Sequence, residues 1–293
     1  MSAKNYVLQI LGTAQDAGYP QLNCSCKNCA EARKNTDLKR NQSSLALIDK
    51  KNKKSYVFDI TPSFPEQLSV LNETAKKNNI PTDHLDGLFI THAHLGHYTG
   101  MLFLGKEAMN VKNMPVYISK KMYDFLNHNQ PWSDLINNYL DPVILKAEKY
   151  IKINDSFSVR TIKIPHRNEY ADTAAFQVKT KNTVFIYLPD IDSWNGFFYK
   201  ILPYFEESDY IFIDGTFFSR KELGEIRGRK IEEVPHPPIV KSMELFAEYN
   251  LQKKTFFTHF NHTNPILDKE SEEFKTVIKQ GFRILNDQDI FKI

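Results

Sequence analysis

The sequence predicts an α+β fold in which two β-sheets are covered by helices. Strand-like runs come in groups with helical segments between the groups, which fits two covered sheets better than one doubly wound sheet. Leu88-Phe-Ile90 reads as the end of a strand buried in a core. At 293 residues with 41% hydrophobic content, the chain can bury a core of that size. It is expected to form one domain over 1–293, built of two intimately packed halves of roughly 1–150 and 151–293.

The elements follow in order. Tyr6 to Leu11 opens as a strand that breaks at Gly12, and a long polar loop then leads to a short helix from Ala30. Ser44 to Asp49 and Ser55 to Ile60 are expected to pair across a solvated turn at Lys50-Lys-Asn-Lys-Lys54. Pro62 and Pro65 punctuate the start of a helix over 66–78, in which Leu68, Leu71 and Ala75 share a face. A strand over 88–91 is followed by a helix over 98–109. Beyond Pro115 come a strand at 116–118, a helix at 120–128 and an irregular stretch around Pro131-Trp132. Strands are predicted at 158–164, 174–178, 183–188, 210–213 and 255–258, with helices at 240–249 and 269–280 and a short closing strand. The charged, proline-rich segment 224–238 reads as a long mobile loop.

Composition excludes several classes. The 38 Lys and Arg against 35 Asp and Glu leave a formal charge of only +3, so nucleic-acid binding is not expected. No run of 18 or more apolar residues is present, which excludes an ordinary membrane helix. The first strand starts at once, with no signal-peptide pattern, so a cytoplasmic location is expected.

The chemistry centres on Thr91-His-Ala-His-Leu-Gly-His97, which holds three of the nine histidines. Imidazole is the commonest protein ligand for transition metals. His92 and His94 leave an extended segment on the same side, and His97 is placed to turn back to the same pocket. Solvated loop histidines are the bland alternative, disfavoured by the clustering. All three cysteines lie in Cys24-Ser-Cys26-Lys-Asn-Cys29. An odd number so closely spaced is a poor disulfide framework, whereas three thiolates can wrap one tetrahedral zinc with a histidine brought from elsewhere. A reactive thiol cluster or three free cysteines are the alternatives. Four further strands end on a potential ligand: His166, Asp190, Asp214 and His259. A fold that gathers the C-terminal ends of successive strands at one edge would bring these groups together.

The series His92-Ala-His-Leu-Gly-His97, His166, Asp190 and His259 resembles the ordered motifs of the metallo-β-lactamase superfamily, an αββα sandwich with metals at one edge of its sheets. More narrowly, Leu11-Gly-Thr-Ala14, Pro20-Gln-Leu-Asn-Cys-Ser-Cys26, Ile213-Asp-Gly-Thr216 and His259-Phe-Asn-His-Thr-Asn-Pro-Ile-Leu267 resemble the pyrroloquinoline quinone biosynthesis protein B (PqqB) subgroup, nearly end to end. The resemblance implies that His262 completes the structural zinc site with Cys24, Cys26 and Cys29. It also implies that His92, His94 and His166 hold a first metal, that Asp190 bridges, and that His97 and His259 serve a second. This chain departs from the superfamily at Gly96, where the pattern has a metal-binding aspartate. An aspartate placed at 96 is accordingly expected to raise occupancy of the second position.

A divalent ion (zinc, iron or manganese) held by these groups activates water near neutral pH, so a metal-dependent hydrolase of a small molecule is expected, with Asp190 orienting the water. Asp214 is expected to hydrogen-bond a ligating imidazole. The resemblance places His236 on a long loop near the site, to contact substrate or act as acid toward a leaving group. Two alternatives remain: a PqqB-like non-haem iron oxygenase linked to pyrroloquinoline quinone (PQQ) biosynthesis, and a non-catalytic metal-binding protein with a vestigial second site. Tyr98, Trp132, Tyr170, Trp194, Phe217 and Phe218 would suit a flat, partly apolar ligand, although such residues are more often core. A homodimer is compatible with the sequence.

Overall fold

A computed structural model describes residues 4–82, 85–225 and 235–293. Side chains alternate along a strand, and here both faces are apolar. In β1 (Tyr6–Gly12), Tyr6, Leu8 and Ile10 enter one core while Val7 and Leu11 enter another. The same split holds in β2 (Ser44–Asp49), with Leu45 and Leu47 against Ala46 and Ile48. Strands that must be covered on both sides produce a layered sandwich.

The first sheet has the order β14-β1-β2-β3-β4-β5-β6, adding β3 (Lys54–Phe58), β4 (Gly87–Phe89), β5 (Met114–Ile118), β6 (Leu140–Ile144) and β14 (Ile290–Lys292). The second has the order β13-β12-β11-β10-β9-β8-β7: β7 (Ile151–Lys152), β8 (Phe157–Ile164), β9 (Thr173–Thr180), β10 (Val184–Leu188), β11 (Tyr210–Asp214), β12 (Thr255–Thr258) and β13 (Arg283–Ile284). Between them lies an aromatic core. Phe89 stacks between Phe58 and Tyr117 at ring separations of 4.5 and 4.4 Å, and Phe176, Phe185 and Phe212 meet them from the other sheet. Each such fully buried ring contributes ~2–3 kcal/mol of hydrophobic stabilisation. Helices α2 (Phe64–Lys77), α4 (Lys120–Asn127) and α5 (Trp132–Asn138) cover the first sheet; α6 (Phe198–Glu207), α7 (Ile239–Glu248) and α8 (Glu272–Lys279) cover the second. This is the αββα arrangement. The second sheet is built from residues 151–284, but β14 crosses back to pair with β1.

Several expectations are corrected. The helix over 98–109 is instead the short α3 (Leu95–Tyr98) and a 3-10 turn over Thr99–Leu104. Gly100 packs so closely on the preceding loop that a Cβ there would lie 2.2 Å from the Thr61 carbonyl oxygen, so this segment follows its neighbour rather than a regular helix. The stretch after Pro131 is helical, because proline precedes α5 instead of interrupting it. Helix α6 carries Pro203 inside it, which argues against a helix locally; its buried Phe198, Ile201 and Phe205 overrule that. Strand β6 contains Pro142 and lies at the sheet edge, where proline is tolerated. The cysteine-loop helix, α1, spans Lys27–Lys34. Of the expected loop 224–238, residues 226–234 lie outside the described residues.

Strand direction positions the site. β3, β4, β5 and β6 are mutually parallel, as are β10, β11 and β12. Two antiparallel steps return β1 to the direction of β3, and two return β8 to that of β10. The ends of β1, β3, β4, β8, β10, β11 and β12 therefore deliver Asp16, Asp59, His92, His166, Asp190, Asp214 and His259 toward one edge.

Candidate metal centre

Three groups of donor atoms lie at that edge, one of them formed by Asp190, His236 and His259. His92, His94, His166 and Asp190 each offer a ligand atom within 4.8 Å of the others, and so do Asp16, His97 and His259. Asp190 stands between the groups. Its Oδ1 lies 3.6 Å from His166 Nε2, and its Oδ2 lies 4.0 Å from His92 Nε2, 3.1 Å from His97 Nε2 and 3.2 Å from His259 Nε2. The centre is buried: His92, His97, His166, Asp190 and His259 are each at most 2% exposed.

The outward ring nitrogens of His92, His97, His166 and His259 are engaged. His92 Nδ1 meets Thr91 Oγ1 at 2.9 Å, and that hydroxyl reaches the Asp59 carboxylate at 2.9 and 3.0 Å. His97 Nδ1 meets Asp59 Oδ2 at 2.8 Å, His166 Nδ1 meets Asp192 Oδ1 at 2.9 Å, and His259 Nδ1 meets Thr216 Oγ1 at 2.9 Å. These partners assign the proton to Nδ1 and leave Nε2 as a lone-pair donor pointing inward. Asp59 and His259 hold left-handed backbone conformations (φ 62° and 63°), a local strain that the surrounding hydrogen bonds sustain.

The inward atoms have no such partners. His92 Nε2, His97 Nε2, His259 Nε2 and both Asp190 oxygens are buried without a hydrogen bond, a costly arrangement for polar atoms unless a cation sits among them. His166 Nε2 and His94 Nδ1 face each other at 3.2 Å, close to the ~3.3 Å expected for two nitrogens on one tetrahedral ion. The residues fit a metal ion.

Charge is distributed accordingly. Burial and the neighbouring His97 hold the pKa of His92 well below the usual imidazole range, and burial does the same, less strongly, for His94 and His259. Burial opposes the charge on Asp190, but His259, His97 and His92 outweigh it and keep the carboxylate ionised. Burial likewise disfavours a charged His97, which Asp190 and Asp59 nonetheless hold well above the ordinary range, so an ion bound at its Nε2 would have to displace a proton there.

Asp214 contacts one clustered imidazole directly, that of His236, and a second, that of His259, through Thr216. Its Oδ1 accepts from Thr216 Oγ1 at 2.8 Å and so reaches His259 through that hydroxyl, while its Oδ2 contacts His236 Nδ1 at 2.6 Å. Burial would lower the His236 pKa, but Asp214 raises it to about 9. His236 borders a cavity of about 690 Å³ with Arg167, Asp192, Trp194, Arg220 and Lys241 in its wall. Of the six aromatics singled out in the sequence, Trp194 lines this cavity. Phe217 is buried, Phe218 packs on the second core, Tyr98 and Trp132 pack on the first, and Tyr170 is exposed.

At the cysteine cluster, His262 Nδ1 lies 3.6, 3.4 and 3.4 Å from the Sγ atoms of Cys24, Cys26 and Cys29. A tetrahedral ion with ordinary bond lengths to thiolate and imidazole separates S and N by ~3.6 Å, so these four also fit one ion. Burial pushes the Cys29 thiol up to about 12 and holds His262 below the usual imidazole range. A bound cation must therefore displace the thiol proton, while the histidine is already neutral.

Sequence reasoning missed Asp16, Asp59, Thr91, Asp192 and Thr216. Asp59 and Thr91 had a signal, since each follows an apolar strand run as the recognised groups do. Asp16 had none. The expectation that an aspartate at 96 would add a ligand fails on packing, because a Cβ at Gly96 would lie 2.6 Å from Asp16 Cα and 2.4 Å from its Oδ1.

Comparisons with known proteins bear on the family and the fold. Residues 55–260 match the family model of the beta-lactamase superfamily domain. The chain is 22% identical over 299 residues to coenzyme PQQ synthesis protein B of Klebsiella pneumoniae, covering 94% of this chain and 95% of that protein. Its fold is similar to that of Zn(2+)-bound PqqB from Methylobacterium extorquens (TM-score 0.80, 17% identity, 98% of this chain and 100% of the other). It is also similar to that of a diphosphatase of the PhnP family (TM-score 0.69, 17% identity, 98% and 96%).

Proposed function

The chain belongs to the beta-lactamase superfamily, and on that premise we propose that it is a metal-dependent hydrolase of a small molecule. The observation that carries the reading is the set of buried, unpartnered inward atoms: Nε2 of His92, His97 and His259, and both oxygens of Asp190. Divalent ions bound there would supply Lewis acidity and make water nucleophilic near neutral pH.

The chain's own groups then have distinct tasks. His92, His94, His166 and Asp190 would hold the ion, and Asp190 would also orient the attacking water. Thr91, Asp59, Asp192 and Thr216 fix which nitrogen of each imidazole carries the proton. His236, kept protonated by Asp214, would give a proton to a leaving group that enters from the adjoining cavity. Zinc suits the Cys24, Cys26, Cys29 and His262 set, in a structural role.

A PqqB-like oxygenase reading uses the same donors with Fe(II) and O2, and the likeness to coenzyme PQQ synthesis protein B supports it. The number of nitrogen donors and the shared carboxylate favour hydrolysis. The test is a panel of phosphodiester, phosphoanhydride, ester and lactone substrates, with Zn(II), Mn(II) or anaerobically loaded Fe(II). Metal-dependent hydrolysis that His94→Ala abolishes is expected. No hydrolysis by any loaded form, together with O2 consumption by the Fe(II) form, would overturn it.

A further inference from the structure

We propose that Asp16, from the loop after β1, is a ligand of a second divalent ion at this edge, completing a set with His97, His259 and the shared Asp190. The proposal rests on the reading of the edge as a metal centre, and it names the carboxylate that residue 96 lacks.

The geometry leads there from three sides. Asp16 Oδ1 occupies the space into which a side chain at 96 would project, 2.4 Å from the Cβ that Gly96 does not have. It lies 3.5 Å from His97 Nε2, which is itself buried and unpartnered, as is His259 Nε2. Asp16, His97 and His259 offer ligand atoms within 4.8 Å of one another, and Asp190 Oδ2 lies 3.1 and 3.2 Å from the two nitrogens, so both carboxylates approach the same pair of imidazoles. The Asp16 side chain is 29% exposed, so its position faces solvent and leaves room for water on the ion.

Asp16 is held there by backbone. Phe260 donates its N–H to Thr13 oxygen at 2.7 Å and accepts the Gln15 N–H at 3.0 Å, so the segments on either side of the site are locked residue by residue, with His259 adjacent to one and Asp16 to the other. The Gly96 N–H, at 3.1 Å, donates to Asp16 Oδ1 and fixes the carboxylate's rotation. Glycine at 96 is then a requirement of the arrangement, because any side chain there collides with Asp16.

The test is metal content by elemental analysis of protein purified without chelator and loaded with Mn(II) or Zn(II), for the natural chain, Asp16→Asn and Asp16→Ala. Roughly three divalent ions per chain are expected in the natural protein, one at the cysteine cluster and two at the edge, falling to about two in both variants. Asparagine keeps an acceptor for the Gly96 N–H, so a purely structural role predicts loss in the alanine variant only. Electron paramagnetic resonance of the Mn(II)-loaded natural protein is expected to show a spin-coupled pair, replaced by isolated ions in Asp16→Asn. Undiminished content in Asp16→Asn, or only two ions in the natural protein, would overturn the proposal. The count is independent of turnover: absence of any hydrolysis would defeat the hydrolase reading and leave the Asp16 assignment standing.

Discussion

Thr216 offers a sharp perturbation of the centre, because its hydroxyl is the hydrogen-bond partner of His259 Nδ1, whereas His236 Nδ1, 3.2 Å from the same hydroxyl, keeps Asp214 at 2.6 Å. Thr216 Oγ1 donates to Asp214 Oδ1 at 2.8 Å and accepts from His259 Nδ1 at 2.9 Å. Thr216→Val keeps the shape and removes all three contacts. Asp214 retains the backbone N–H groups of Thr216 at 2.9 Å and Ile191 at 3.1 Å, together with His236 at 2.6 Å, so the loss falls on His259. An imidazole deprived of its orienting partner typically binds metal 10- to 100-fold more weakly, ~1.4–2.7 kcal/mol. Its buried N–H, left without an acceptor, costs a further ~1–3 kcal/mol of folding stability. The assay is competition with a chromogenic chelator for the edge-bound metal, with Thr216→Ser as the control that restores the hydroxyl. Valine matching the natural affinity, or serine binding as weakly as valine, would refute the role assigned to this hydroxyl.

Three other outcomes are expected. His236→Asn should flatten the alkaline limb of the rate profile. The raised pKa, about 9, keeps the imidazole protonated below that pH, so activity of the natural protein falls as pH rises through about 9, and an unchanged limb in the variant would remove His236 as the acid. Cys26→Ser should lose one metal equivalent and lower Tm by about 7 °C, taking ~4 kcal/mol for an ion present at a thousandfold its Kd; an unaltered melting curve after metal loss would rule out a structural role. His94→Ala should abolish turnover while leaving the circular dichroism spectrum and the cysteine-site metal intact, and retained turnover would rule out the first metal set.

The sequence was most legible where a residue's chemistry and its strand context coincide. Runs such as Phe257-Thr258 before His259 and Leu188-Pro189 before Asp190 mark strand ends, and seven strands running toward one edge convert those marks into one site. The cysteine cluster was legible from spacing, and its partner His262 only through family resemblance. What stayed hidden depended on tertiary approach. Helix α6 is set by burial of Phe198, Ile201 and Phe205 against the second sheet, which overrides Pro203. The Thr99–Leu104 turn is set by backbone contact at Gly100. Asp214 reads correctly as a group near the site, but its actual partners, Thr216 and His236, are chosen by loop geometry that no local pattern encodes.

Asp16 shows why a missing ligand in a motif is weak evidence for a dead site. The carboxylate lies eighty residues away in sequence, and Gly96 by itself reads as loss. Placing the ligand on the loop after β1 has a physical consequence that a ligand at 96 would not have. That loop also carries Cys24, Cys26 and Cys29, and the segment it grips through His262 is the one that begins at His259. The cysteine cluster and the second edge position therefore share the same two segments, joined by Gln15 and Phe260 backbone bonds. An ion at the cluster would restrict both segments and leave less ordering to oppose an ion at the edge, so zinc at the cluster is expected to tighten Mn(II) binding at the edge, and equal edge affinity in Cys26→Ser would refute that coupling. By reciprocity an edge ion would tighten the cluster by the same factor, so zinc retention at the cysteine site is expected to weaken in His97→Ala as well.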